Sequence, residues 1–384
     1  MPPSPLLLWI TACQPPTGNA DPTLGETVAV VPGPGLPAEV TPQDANNNLD
    51  IAWFDHRLFL AFRTAPSHFA SADTVMVVMS SEDQQTWTLE AQISLDTDLR
   101  EPRFLELDGQ LILYFAVLGD DAFDFEPQGA RRITRRALGD WSAPEEVFYP
   151  GFIPWRTHVI DGVATVLGYT GGENIYDAGA EPVTVYWLKT EDGSTFEPYL
   201  PDQPVVLMGG GSETDLAFTP EGALIAVSRN EAGDETGFGS KICRAEPGAL
   251  GDWRCVADPK KYDSPLVFEH GGQIWLVGRR NLTETGAYDL GLTGDLATQS
   301  AAYALDYWQQ PKRCSLWRID EHTLAVDLVL DLPSAGDTCF ASIWHTSPWT
   351  SEIYNYSSPV DQPDLSWLEG QTGETLIYRT ELRW

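Results

Sequence analysis

The chain has 384 residues, with 56 acidic against 23 basic side chains and a formal charge of −33. That surface repels phosphate backbones and anionic headgroups, which excludes nucleic-acid binding and polybasic attachment to membranes. Apolar residues make up 42% of the chain, 14 of them Trp, too much for a disordered protein, and 33 Gly with 29 Pro give frequent turns without any apolar run long enough to span a bilayer. An all-β fold is the class these numbers favour.

At the N-terminus, Leu6-Leu-Leu-Trp-Ile-Thr-Ala-Cys13 is a short apolar segment ending in small residues and a cysteine. It resembles a bacterial lipoprotein signal, although no Lys or Arg precedes it. The expected division is a signal segment at 1–13, a tether at 14–23 and one domain at 24–384. Cys13 would carry the lipid, with the domain exported and held on the cell envelope, at the outer membrane where the host has one. The lipid is the only membrane contact expected, and the protein is expected to be a monomer. The other four cysteines form two sequence-local pairs, Cys243 with Cys255 and Cys314 with Cys339. In an exported chain an even remainder reads as two disulfides; no Cys-x-x-Cys accompanies either pair, so zinc is not expected.

One unit recurs along the chain: an apolar strand, a tight polar turn and a second, more apolar strand. The turns are marked by His56, Gly109, Gly162, Gly222, Gly272 and the region of Trp349, with an insertion from about Asn281 to Gln310 lengthening the last interval. Each unit continues into a second hairpin. Its turn reads Ser81-Glu-Asp-Gln-Gln-Thr-Trp87 in the first copy and Thr190-Glu-Asp-Gly-Ser-Thr-Phe196 in the third, while the second and fourth share Gly139-Asp-Trp141 and Gly251-Asp-Trp253. Six units of four antiparallel strands predict a six-bladed β-propeller. The last unit supplies only three strands, ending at Leu376–Leu382, and Thr27-Val-Ala-Val-Val is the candidate that would close the ring.

In such a blade the inner strand starts, and the second strand ends, at the mouth of the central channel. Seven residues after the turn markers stand Arg63, Ala116, Tyr169, Arg229 and Arg279. Arginine suits carboxylate binding because its planar fork donates two parallel hydrogen bonds. The inner strands start on polar residues, among them Arg100-Glu101-Pro102-Arg103, Glu213, Asp263 and Asp337. In the last blade Tyr354 and Tyr356 alternate with Asn355 and so share one face.

The hairpin turns resemble Asp boxes, and the whole constellation is similar to the sialidase-like propeller superfamily. That resemblance implies an exo-acting glycoside hydrolase that cleaves a terminal acidic sugar such as sialic acid. Three arginines would clamp the substrate carboxylate, a carboxylic acid would protonate the leaving group, and a Glu-activated tyrosine would attack. Glu213 matches the activating Glu, Arg229 and Arg279 the second and third arginines, and Tyr354 or Tyr356 the nucleophile. The family's first-blade Arg-Ile-Pro is missing, so Arg63 or Arg103 would replace its arginine, with Asp263 and Asp337 as further binding residues. Asp73 is the candidate acid, in competition with His68 and Glu101. No cofactor or metal is expected; calcium is weighed only for the acidic loop Gly119–Asp124, which lacks the alternating spacing of an EF-hand. Two alternatives stay open: a superfamily glycosidase or lyase acting on another glycan, and a non-catalytic propeller that binds glycans or a partner protein. The geometric expectation is that Arg229, Arg279, Glu213 and one of the two tyrosines converge on a single pocket at the channel mouth.

Overall fold

A computed structural model describes residues 21–122, 124–174 and 182–384. Six antiparallel sheets stand around a central channel as the blades of a propeller. The inner strands are Ala45–Phe54, Leu99–Leu107, Ile153–Ile160, Gly211–Phe218, Leu266–His270 and Ser342–Ser347. Each pairs with a second strand through a turn on the lower face, the side away from the mouth. The turns need positive φ, and Asp108-Gly109 (+50° and +72°) and Asp161-Gly162 (+50° and +81°) supply it with the residues that tolerate it best. The second strands lie within their sheets between the inner and third strands and are mostly buried; in Gln110–Leu118 every residue after Gln110 is buried.

The sixth blade takes three strands from the C-terminal region. Its outermost strand is Thr23–Val31, which pairs with Leu376–Arg383 and closes the ring without an open seam. In the outer hairpin turns of blades one and three a carboxylate ties the backbone: Asp83 Oδ1 accepts the N–H groups of Gln85 and Thr86 at 2.8 Å, and Asp192 Oδ1 those of Ser194 and Thr195 at 2.8 and 2.7 Å. Trp87, after the first of these turns, is buried with its ring edge-on to Tyr354.

Between Asn281 and Lys312 the insertion carries the helix Leu296–Gln309, capped by Asp295 accepting from the Thr298 N–H at 2.8 Å. Its Tyr303 and Tyr307 are buried with Phe238 and Tyr288, and Trp308 and Trp367 pack against them. Tyr307 reaches the channel mouth, as described below. No helix among the described residues is long and apolar enough to cross a membrane. Cys13 and the segment around it lie outside the described residues.

Both expected disulfides are formed. Cys243–Cys255 joins directly paired residues of the outer hairpin of blade four, and Cys314–Cys339 ties the third strand of blade five to the approach to blade six. Two such bonds are the mark of a protein that matures outside the reducing cytosol. Unfolded, unreduced protein should therefore show none of these four thiols in a titration, and reduction should lower the denaturant midpoint by an amount equivalent to about 3 kcal/mol per bond.

Candidate functional site

The inner strands begin irregularly, and these irregularities make the mouth. Non-glycine residues with positive φ stand there at Asn48 (+42°), Glu101 (+53°) and Ser264 (+53°). Pairing shifts by a residue between Asn47 and Leu49, Arg100 and Arg103, and Gly211 and Thr214. A bulge re-aims the side chains beside it, and strained backbone of this kind concentrates at functional sites.

Below the mouth two arginines fill the axis. Arg103 donates from Nε to the Trp155 carbonyl and from Nη1 to that of Leu49 at 3.5 Å, with its guanidinium over the rings of Trp155 and Phe340. Arg156 donates to the Pro265 carbonyl from Nε and Nη2 at 3.1 and 2.9 Å and to that of Ala341 at 3.3 Å. Burial, with Arg156 beside it, pulls Arg103 down to about 9. Arg103 is thus a buried tie between inner strands, contrary to the expectation that it binds substrate. Arg63 departs from expectation in the same way. Fully buried, it donates to Asp98 (2.8 Å), Asn47 (3.3 Å) and the carbonyls of Ser67 (3.1 Å) and Phe69 (2.8 Å), anchoring the loop after its strand. Asp73 is exposed in that loop, its carbonyl accepting from Gln43 Nε2 at 2.8 Å.

Arg229 and Arg279 meet at the mouth. Arg279 Nη1 lies 2.9 Å from Asp263 Oδ2, and Arg229 Nη1 lies 3.8 Å from Asp263 Oδ1. Arg229 Nη1 also pairs with Glu213 and Glu231, each at 3.0 Å, and Lys261 pairs with Glu231 and Asp263. Tyr307, from the insertion helix, donates to Asp263 Oδ2 at 2.6 Å. Burial alone would raise the Asp263 carboxyl, but Lys261, Arg279 and Arg229 hold it at about 2. The second oxygen of Glu213 accepts the Ser264 N–H at 2.7 Å, and burial raises this carboxyl above its ordinary range.

Of the two tyrosines only Tyr356 reaches this region. Its hydroxyl donates to Asp337 Oδ1 at 3.0 Å, and His68 Nδ1 lies 2.6 Å from Asp337 Oδ2. Burial lowers His68, so the ring is neutral near pH 7 and donates from Nδ1; burial and the Asp337 charge raise the Tyr356 phenol, which Arg279 alongside pulls back. Tyr354, two residues nearer the lower face, donates to Gln84 at 2.8 Å and belongs to the core.

Glu101 completes the cluster. Asn48 Nδ2 donates to it at 3.3 Å. Burial, with the Glu213 charge adding to it against the pull of Arg103, pushes its carboxyl up to about 7. Arg100 beside it pairs with Asp98 and donates to the His68 carbonyl at 2.6 Å.

Lys261, Glu231 and Tyr307 were not among the residues singled out from the sequence, and Arg100 was noted only as part of a polar strand start. The first two had a signal, since Glu231 follows Arg229 and Lys261 precedes Asp263 by two, the spacing of one strand face. Tyr307 had none, because its helix lies outside the repeat. Among the described residues no group of three or more His, Cys, Asp or Glu is placed to hold a metal ion.

No family model and no curated protein matches the sequence. Among solved structures the fold is similar to a protein of unknown function from Dyadobacter fermentans DSM 18053, with TM-score 0.64 and 13% identity over 94% of this chain and 99% of that one. It is also similar to Trypanosoma rangeli sialidase in complex with sialic acid, with TM-score 0.56 and 12% identity over 88% of this chain and 54% of that one. For the phage phi92 endosialidase the TM-score is 0.58 at 12% identity, over 90% of this chain and 68% of that one. The chain spans about half the length of the trypanosomal enzyme. At these identities the likeness establishes the fold, a sialidase-like six-bladed propeller.

A carboxyl whose folded value is raised, from 4.5 to about 7 in Glu101, binds its proton more tightly in the native state, so stability is lost as pH rises through that interval. Glu101→Gln should be nearly neutral for stability below pH 4.5 and increasingly stabilising up to about pH 7, by at most about 3 kcal/mol. Urea denaturation at several pH values reads this directly.

Proposed function

We propose that the protein is an exo-acting glycoside hydrolase of the sialidase type that removes a terminal acidic sugar from a glycan. The observation that carries this reading is that Arg229 and Arg279, from adjacent blades, aim Nη1 atoms at one carboxylate position, with Tyr356 beside Arg279. Guanidiniums directed at one position suit a planar, two-oxygen carboxylate, to which an arginine fork can donate two parallel hydrogen bonds. Asp263 holds the position here, and a substrate carboxylate would share or replace its contacts.

In the proposed reaction Tyr356 Oη attacks the anomeric carbon as its proton passes to Asp337. Asp337 is assigned this role in place of Glu213 because the hydroxyl already donates to it, whereas the oxygens of Glu213 are taken by Arg229 and the Ser264 N–H. Arg279 favours the ionised phenol, and His68 fixes the orientation of Asp337. Glu101 is the proposed acid. With its carboxyl raised to about 7 it is protonated in about half of the molecules at neutral pH; in that form it gives the proton to the leaving oxygen, and it then takes one from the water that releases the sugar.

A second reading rests on Asp263. A buried carboxylate already lying between the two arginines suits a glycosidase or glycan-binding propeller whose ligand carries no carboxylate. Hydrolysis of an aryl α-sialoside separates the two. Wild type should turn the substrate over, and Arg279→Ala and Tyr356→Phe should each lower kcat/KM by about 100-fold or more. Glu101→Gln should slow an unactivated sialoside and abolish a decline in rate above about pH 7. A folded wild type without sialosidase activity would move the assignment to the second reading, which a panel of neutral aryl glycosides then tests.

Export and lipid attachment at Cys13 are proposed with this function. The first described residues lie at the lower face, where Asp21 pairs with Arg318 and Thr23 stands opposite Arg383. A chain anchored through Cys13 would therefore be held by that face with its mouth turned away from the membrane. Mass spectrometry of the native protein should find a lipidated N-terminus at Cys13; an intact, unmodified Met1 would refute the anchor.

A further inference from the structure

Asn48 and Glu101 stand near the starts of the inner strands of blades one and two, and both hold a left-handed backbone, at φ +42° and +53°. Each lies where strand pairing slips by a residue, between Asn47 and Leu49 and between Arg100 and Arg103. The slips aim the two side chains at each other, and Asn48 Nδ2 donates to Glu101 Oε2 at 3.3 Å. No described residue makes a hydrogen bond to the other oxygen, Oε1.

Stability does not account for Asn48. Glycine adopts a positive φ without the cost that a side chain brings. Asn48 is only 6% exposed, yet its Oδ1 is buried without a hydrogen-bond partner among the described residues, which is unfavourable for an acceptor removed from water. Nor is its bond needed to join the blades, because two residues further along the strand Asp50 Oδ2 already accepts the Phe104 N–H at 2.8 Å. Strain and an unmet acceptor, with no tie that is not made elsewhere, leave the contact of Nδ2 with Glu101 as the distinctive thing this side chain does.

We infer that Asn48 is a positioning residue for Glu101: by donating to Oε2 it makes that oxygen the acceptor end of the carboxyl and places the transferable proton on Oε1. This role rests on the reading of Glu101 as the acid of the mouth. A protonated carboxyl carries its hydrogen on one oxygen, and an N–H facing Oε2 disfavours a hydrogen there. In the reaction the Oε1–H bond breaks as the leaving oxygen takes the proton, and the electron pair stays on Oε1. The same oxygen then takes a proton from the incoming water. Without Asn48 the proton divides between two oxygens of a carboxyl that is free to turn, so turnover falls while substrate affinity is kept. The charged groups acting on Glu101 are Arg100 and Arg103 from its own strand and Glu213 and Arg229 from blade four, whereas the contact from blade one is the uncharged Asn48. An aspartate there would match the asparagine in shape, tolerate the left-handed backbone, and set a second carboxylate against Oε2, so that the pair would hold a proton to higher pH.

The test compares wild type, Asn48→Gly and Asn48→Asp on two substrates, an alkyl α-sialoside whose leaving group needs the acid and a nitrophenyl α-sialoside whose leaving group does not. In Asn48→Gly, kcat on the alkyl substrate should fall about tenfold with KM nearly unchanged, the nitrophenyl substrate should be little affected, and the urea midpoint should stay level or rise. In Asn48→Asp the decline in rate should move from about pH 7 to about pH 8. The stabilisation by Glu101→Gln should level off at the same higher pH when it is made in the Asn48→Asp background, a reading that needs no turnover. An active wild type whose Asn48→Gly variant keeps its full rate on the alkyl substrate would overturn the role of Asn48, as would an equal loss on both substrates or a levelling-off that does not move in Asn48→Asp. A wild type inactive on both sialosides is instead the failure of the reading of the mouth. The stability series then decides the contact by itself: an unmoved levelling-off refutes the coupling of Asn48 to Glu101, and a shifted one upholds it.

Discussion

Six sheets arranged around an axis leave the inner strands with carbonyl groups that face the centre, where no further strand can pair with them. Buried backbone acceptors without partners are costly, so the centre needs donors. Arg103 and Arg156 supply them to Leu49, Trp155, Pro265 and Ala341, in blades one, three, five and six. Asp50 and Asp215 complement them from the other side, accepting the N–H groups of Phe104 and Val267 in the next blades. These ties connect inner strands directly, independently of the apolar packing between blades.

Because the axis is filled, the mouth is a shallow floor rather than a pore. The floor carries an ion-paired cluster in which Arg229 meets Glu213, Glu231 and Asp263 and Arg279 meets Asp263, with Glu101 beside Glu213 and the Tyr356–Asp337 pair beside Arg279. Each cation is matched by a buried anion, without which two guanidiniums this close would repel strongly in a low-dielectric setting. The insertion helix adds a roof through Tyr307, and Lys312 behind it donates to the Asn281 side chain and to the Tyr307 and Gln310 carbonyls. Burial raises both the Glu101 carboxyl and the Tyr356 phenol above their ordinary values.

The two faces of the propeller then differ in kind. The upper face is charged and strained, with positive φ at Asn48, Glu101 and Ser264. On the lower face the same inner strands end in tight turns, among them Asp108-Gly109 and Asp161-Gly162, where positive φ belongs to the turn itself. A residue pair such as Tyr354 and Tyr356 shows how short the transition is: two positions along one strand separate a core contact with Gln84 from a hydrogen bond to Asp337 at the mouth.

Periodicity determined the six-bladed ring, its closing strand and the insertion, and the even, sequence-local pairing of cysteines in a chain expected to be exported gave both disulfides, because each depends on local pattern: alternating apolar strands, turn residues at fixed spacing, and cysteines close in sequence. Periodicity also brought Arg229, Arg279, Glu213, Asp263 and Asp337 toward one end of the channel, since equivalent positions of a repeat point the same way. Whether an arginine at such a position is free or committed was not legible. Arg63 and Arg229 end second strands at the mouth and Arg103 lies within an inner strand, yet only the folded ring shows that Asp98 and the Ser67 and Phe69 carbonyls claim the first, carboxylates the second, and inner-strand carbonyls the third. The same holds for Asp263 between the arginines and for Tyr307 from the insertion. A hydrogen-bond partner from another blade is a property of three-dimensional distance, and no spacing along one strand encodes it.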